Sequence, residues 1–146
     1  MDQSTRQAWM SLLAKAPAEQ LKALWAATGL APDHTTLRAP EVGGVMLRGR
    51  MGGTGAPFNL GEMTVTRCSL KLADGAVGHA YVQGRDKDKA RIAALIDALM
   101  QTDAAMTLRA AVLVPLEVAM AEAKRTRAAK AAATKVDFFT MVRGED

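Results

Sequence analysis

At 146 residues, 49% hydrophobic and 23% charged, the chain is long enough to bury a core of its own and is read as one domain over 1–146. A net charge of +4, from 19 basic and 15 acidic side chains, permits an anionic partner but is too mild to imply nucleic acid. No apolar run approaches the roughly 18–20 residues of a membrane span, no secretory signal opens the chain, and the one cysteine, Cys68, excludes an internal disulfide; the expected compartment is the cytoplasm.

Aromatic residues make up only 4%, so Ala, Leu, Val and 9 Met supply most of the filling. Ser4-Thr5-Arg6-Gln7 predicts a capping box, after which Ala8, Trp9, Leu12 and Leu13 recur at helical spacing. Pro17 opens a second helix with Leu21, Leu24 and Trp25 on one side, and Gly29 ends it. Residues 1–30 thus read as an N-terminal helical hairpin whose two tryptophans need a surface. Pro32, Asp33 and the polar run to Thr36 read as a loop, and Pro40 marks the approach to a sheet.

Residues 42–84 carry strands around a glycine-rich loop. Val42 to Arg50 is a first strand, weakened by Gly43 and Gly44, and Met51 to Asn59 is the connection. Gly61 to Leu72 is the clearest strand, with Thr64, Thr66, Cys68, Leu70 and Leu72 on one face and Val65, Arg67, Ser69 and Lys71 on the other. Ala73-Asp74-Gly75 turns the chain into Val77 to Gln83, where Val77, His79 and Tyr81 alternate with Gly78, Ala80 and Val82.

Residues 86–133 read as helices. Asp86 caps one with an apolar stripe of Ile92, Leu95, Ile96 and Leu99. After a break near Thr102-Asp103, another runs from about Thr107, kinked or divided at Pro115, into the Ala-rich segment Ala119 to Ala133. A last strand, Lys135 to Val142 within a closing unit 135–143, places Phe138 and Phe139 on opposite faces. The order predicts an α+β fold, a mostly antiparallel sheet of about four strands packed with helices.

The chemistry-bearing residues concentrate in VGGVMLRGRMGGTGAPFNLGEMTVTR, residues 42–67. The phosphate-loop signature needs Lys then Ser or Thr after its last Gly and a helix beginning there; here Gly55 is followed by Ala56, Pro57 and Phe58 and then a strand. A Gly-x-Gly-x-x-Gly dinucleotide fingerprint is absent too. Two readings stay open. The Gly52, Gly53 and Gly55 amides form an anion nest clamped by Arg48 and Arg50, or the turn is simply tight and its arginines solvated. His34, Cys68 and His79 have no metal-ligand spacing, a Cys68–His79 dyad lacks anything to activate the thiol, and the acids are dispersed. No catalytic residue and no metal site is expected.

The segments RQAWMSLLA (6–14), LRAPEVGGVMLRGRMGGTGAPFNLGEMTVTRCSLKL (37–72), GHAYVQGRDKDKARIAALIDAL (78–99) and VDFFTMVRGED (136–146) closely resemble the G-subunit (PhnG) family of the bacterial carbon–phosphorus lyase system. The resemblance implies an accessory subunit of a core complex holding two copies each of G, H, I and J, with I as near neighbour. It implies support for making α-D-ribose 1-methylphosphonate 5-triphosphate from MgATP and methylphosphonate, a transferase reaction in organic phosphonate catabolism. MgATP is then a substrate of the complex; the iron–sulfur cluster and S-adenosylmethionine belong to J, and this chain has no cofactor of its own. Contact with ligand or partner is expected at Arg48, Arg50, Gly52, Gly53, Gly55, Asn59, Glu62 and Arg67, and a partner interface at Trp9, Trp25, Phe138, Phe139 and Arg143. The competing expectation is a stand-alone phosphorylated-ligand binder or small enzyme using the Arg/Gly-rich loop.

Overall fold

Two short helices, α1 (Gln3–Lys15) and α2 (Ala18–Thr28), open the chain and are joined at Ala16-Pro17. Pro17 stands just ahead of α2, where its missing N–H costs nothing, and Gly29 ends α2 in the left-handed conformation, φ 66°. Both expected helices are therefore present, but the hairpin is only roughly matched, because α1 and α2 pack chiefly on other elements, both of them on the later helix Lys87–Leu99, rather than on each other. The expected capping box does not form: Ser4 lies inside α1 rather than at its cap. The computed structural model describes residues 3–136.

Three strands follow, β1 (His34–Arg50), β2 (Pro57–Leu72) and β3 (Val77–Gln83), paired antiparallel in the order β1-β2-β3. β1 and β2 are longer than the sequence predicts. The expected loop to Thr36 is strand, because His34 pairs with Leu72 and Thr36 with Leu70. Pro40 is tolerated because β1 is an edge strand and its register shifts between Arg38 and Glu41. Much of the expected connection is strand as well, with Pro57 opposite Arg50 and Asn59 opposite Arg48.

The helix α3 (Lys87–Leu99) lies across one face of the sheet. Its start is set as expected: the Lys89 N–H donates to the Asp86 carboxylate at 2.9 Å. The alternation in β2 and β3 is the expected one, and Thr66, Cys68, Leu70, Leu72, Ala80 and Val82 turn inward onto Ala90, Ala94, Ile96 and Ala98. Small residues on α3 bring the helix so close that a Cβ at Gly78 would overlap the Ala94 carbonyl. Leu13, Leu21, Leu108, Val112, Leu113 and Leu116 complete the core from the other helices.

After a turn through Thr102, α4 (Ala105–Leu108), a π turn (Arg109–Leu113) and α5 (Val114–Ala133) form one continuous rod. Pro115 explains the π turn. Its ring cannot donate to the carbonyl four residues back and clashes with it, and a widened turn just before the proline relieves both. Leu116 is the last buried residue of α5, and from Ala121 the rod is exposed all round. The fourth strand expected over 135–143 falls, from residue 137, outside the described residues, and Lys135 and Val136 are not in a strand.

Candidate functional site

The β1–β2 hairpin outruns its support. α3 covers the sheet where β2 runs from Thr66 to Leu72, and no residue from Glu41 to Thr64 is fully buried. About eight residues of each strand, or roughly 27 Å at the usual strand rise, therefore project as a two-stranded arm. A lone two-stranded hairpin is marginally stable in water unless something packs on it. This one also carries apolar side chains in solvent: Met51 is 72% exposed, Leu60 66% and Met46 54%, with Leu47 and Phe58 also outside. These lie on both faces, Met46 opposite Glu62 on one and Leu47 opposite Gly61 on the other, with a bulge before Arg48.

The tip explains the glycines. Gly52 and Gly53 hold φ of 58° and 82°, which β-carbon-bearing residues adopt only with strain. A Cβ at Gly55 would come within 2.6 Å of the Met51 carbonyl, to which the Gly55 N–H donates at 2.8 Å. Arg50 Nη1 donates to the Gly55 carbonyl at 3.3 Å, folding the guanidinium back over the turn. Arg48, Arg50, Gly52, Gly53, Gly55, Asn59 and Glu62 thus all belong to the arm. Farther down, Gly49 leaves room for the Phe58 ring and Leu60 across the hairpin.

Arg67 stands apart from them, at the root of the arm on the open face of the sheet. Its Nε donates to Glu41 at 3.1 Å and its Nη1 to the Tyr81 hydroxyl at 3.4 Å, while Arg38 lies 3.8 Å from the same carboxylate. Arg67 holds the Glu41 carboxyl below its ordinary range. A shallow cavity of about 410 Å³ beside them is lined by Arg38, Arg67, Ser69, His79 and Tyr81. The arginines therefore do not converge on one anion: Arg67 is already partnered, and the others lie along the projecting arm.

The Cys68–His79 proximity considered from sequence does not form. Cys68 faces the core, where burial pushes its thiol pKa up, whereas His79 faces solvent and pairs with Ser69, Oγ to Nδ1 at 3.0 Å. Among the described residues this serine–histidine contact has no orienting acid, since the buried carboxylate of Asp97 receives the His79 backbone N–H instead, at 2.8 Å. Among the described residues, no group of three His, Cys, Asp or Glu side chains is placed to hold a metal ion.

The expected partner surface at Trp9 is corrected. Trp9 is 4% exposed and its indole N–H donates to Asp97 at 2.9 Å, so it serves the chain's own core. Trp25 is half-buried against that core. Phe138, Phe139 and Arg143 lie outside the described residues. Sequence reasoning missed Asp97, whose one available signal was an acid inside the apolar run Ala93 to Leu99 of α3.

The profile of the family described as phosphonate metabolism protein PhnG matches residues 4–144. The chain belongs to the PhnG family. A curated relative from Rhizobium meliloti (strain 1021), named α-D-ribose 1-methylphosphonate 5-triphosphate synthase subunit PhnG, is 45% identical over 141 residues, covering 97% of this chain and 90% of its own length. The arm sequence, RGRMGGTGAPFNLGEM, lies wholly inside the PhnG match. No helix among the described residues is long and apolar enough to cross a membrane.

Proposed function

We propose that this chain is an accessory subunit of an α-D-ribose 1-methylphosphonate 5-triphosphate synthase and that its β1–β2 arm clasps another subunit of that assembly. The relative's name supports the assembly. The observation that carries the arm's role is the projecting hairpin itself, with Met46, Leu47, Met51, Phe58 and Leu60 in solvent and little of its own chain beneath them. Such a surface is stable in water only at a cost that a partner's groove removes. In this reading the subunit contributes no catalytic side chain, which agrees with a serine–histidine contact without an acid and with arginines that do not converge.

The finer assignment is a complex of two copies each of G, H, I and J subunits, with the arm on I. MgATP is a substrate of that complex, its adenine displaced by methylphosphonate, and the iron–sulfur and S-adenosylmethionine chemistry resides in J. Within it, Arg48 and Arg50 lie near the arm's tip, where they can pair with acidic groups of the partner's groove.

Co-expression with the H, I and J subunits followed by size-exclusion chromatography tests this reading. The unsubstituted chain co-elutes with them, and Phe58→Asp with Leu60→Asp releases it while leaving its own thermal transition in place. Recovery of the unsubstituted chain only as a free monomer, or co-elution unaffected by the double substitution, would sink the arm's assignment.

A further inference from the structure

α5 carries an apolar line on the side turned away from the core. Val114, Val118, Ala121, Arg125, Ala128 and Ala132 follow one another at intervals of four, three, four, three and four residues, the spacing that keeps side chains in a row along one helix face. All six are exposed, Val114 by 44% and Val118 by 58%. Leu116 and Met120, two positions after Val114 and Val118 and so about 200° farther round the helix, pack on the core instead. A π turn holds about one residue more than an α turn, so the chain from Val114 back to Met106 returns to nearly the same side, and Met106 is 85% exposed.

A row of this kind, about 27 Å long from Val114 to Ala132, is the seam along which a second helix packs. Its make-up indicates which helix. Alanine at positions 121, 128 and 132 leaves the seam shallow, so the facing positions have room for large aliphatic side chains. From Ala121 to Ala133 the rod carries Lys124, Arg125, Arg127 and Lys130 against Glu122 alone. None of these four cations has an ionic partner among the described residues. A second copy of this chain would lay the same cations alongside and be repelled, whereas a helix with acidic flanks is attracted. Arg125 stands in the seam itself, where its stem covers apolar surface while its guanidinium reaches a carboxylate at the edge. One charged residue in an apolar seam also fixes the register of the pair.

We propose that α5 pairs lengthwise, from Val114 to Ala132, with an acidic amphipathic helix of another subunit, whose Leu or Ile side chains fill the shallow seam and whose Asp or Glu meets Arg125. The partner is taken from the assembly proposed above, on which this pairing rests, and α5 adds a second docking surface to that of the β1–β2 arm.

Photo-cross-linking in the complex co-expressed with the H, I and J subunits tests the pairing, with p-benzoylphenylalanine in place of Val118 on the seam or of Lys130 away from it. The probe at position 118 is expected to label an acid-rich helix of another subunit, identified by mass spectrometry, and the probe at 130 to label it about tenfold less or weaker still. Arg125→Glu is expected to lower the yield from position 118 by about tenfold, and Lys130→Glu to leave it within about twofold. Co-elution of the subunits without labelling from position 118 overturns the pairing and leaves the assembly standing. Failure of the unsubstituted chain to co-elute overturns the assembly and the pairing with it. Labelling of a second copy of this chain or of its own residues also overturns the pairing, as do equal losses with Arg125→Glu and Lys130→Glu.

Discussion

The Arg6 guanidinium and the Asp97 carboxylate meet at 2.7 Å across 91 residues of chain, and their contact fastens α1 to α3. Asp97 is fully buried and accepts four hydrogen bonds: two from Arg6, one from the Trp9 indole and one from the His79 backbone. A carboxylate so placed is tolerated because its lone pairs are met, and it ties two helices to β3 at one point. Asp97 holds the Arg6 pKa above its ordinary value through this hydrogen bonding, against a smaller opposing effect of burial.

Asp97→Ala leaves the Trp9 and His79 N–H groups and the Arg6 guanidinium without their acceptor. It is expected to lower unfolding free energy by about 3–5 kcal/mol, as measured by urea denaturation. Arg6→Ala strands the buried carboxylate and is expected to show coupling of about 1–3 kcal/mol with Asp97→Ala in a double-mutant cycle. Additive single effects would show that the two side chains act separately.

Gly78 and Gly43 separate close packing from free surface. A Cβ at Gly78 meets the Ala94 carbonyl and comes within 2.9 Å of the Ala98 methyl, both on the helix that covers the sheet. Gly78→Ala therefore forces α3 outward and is expected to cost about 1–3 kcal/mol. Gly43, in the arm, has nothing within 4 Å of that position, so Gly43→Ala is expected to be within about 0.5 kcal/mol of neutral. Thermal unfolding of the two variants side by side gives the comparison.

The Asp86–Lys22 pair makes acid stability traceable to one site. Lys22 Nζ lies 2.7 Å from the Asp86 carboxylate, which also receives the Lys89 N–H. The Lys22 contact, then the backbone bond, lowers the Asp86 pKa, and the same pair raises that of Lys22. A carboxyl with a depressed folded pKa contributes stability that is complete above its unfolded value, about 3.9, and is lost as pH falls through the lower folded value. Lys22 contributes fully below its unfolded value of about 10.4, and that contribution is lost as pH rises through its raised folded value. Urea midpoints measured from pH 2 to 6 are expected to fall less steeply with acid in Asp86→Asn than in the unsubstituted chain.

Cys68 is expected to resist thiol reagents in the folded protein. It is 2% exposed, and burial pushes its thiol pKa up, so both access and thiolate are scarce near pH 8. Titration with a chromogenic disulfide is expected to follow the unfolding curve. Rapid reaction in native buffer would show that the β2–β3–α3 packing opens readily.

Where one face of an element meets the core and the other meets water, its pattern is legible in the residues. That is the case for β2 from Thr66, for β3 and for α3, whose apolar stripe, small residues and Asp86 cap specify it locally. The arm lacks that contrast. Val45, Met46 and Leu47 are consecutive apolar residues on alternating faces with no core on either side, so periodicity could not show how far β1 and β2 extend. The glycine-rich segment was evident as special, but its residues suited a ligand nest and a hairpin tip equally, and only the register, with Arg50 opposite Pro57, made it a tip.

By itself the sequence determined the α+β class, the two N-terminal helices, the β2–β3 alternation and, through its long specific runs, the family. Tertiary structure decided what each special residue is for. Trp9 went to the core and the arm's arginines were kept apart from Arg67, because partners 91 and 88 positions away, as for Arg6 and Trp9 on Asp97, are brought together by the packing of helices on a sheet and by nothing local in the chain.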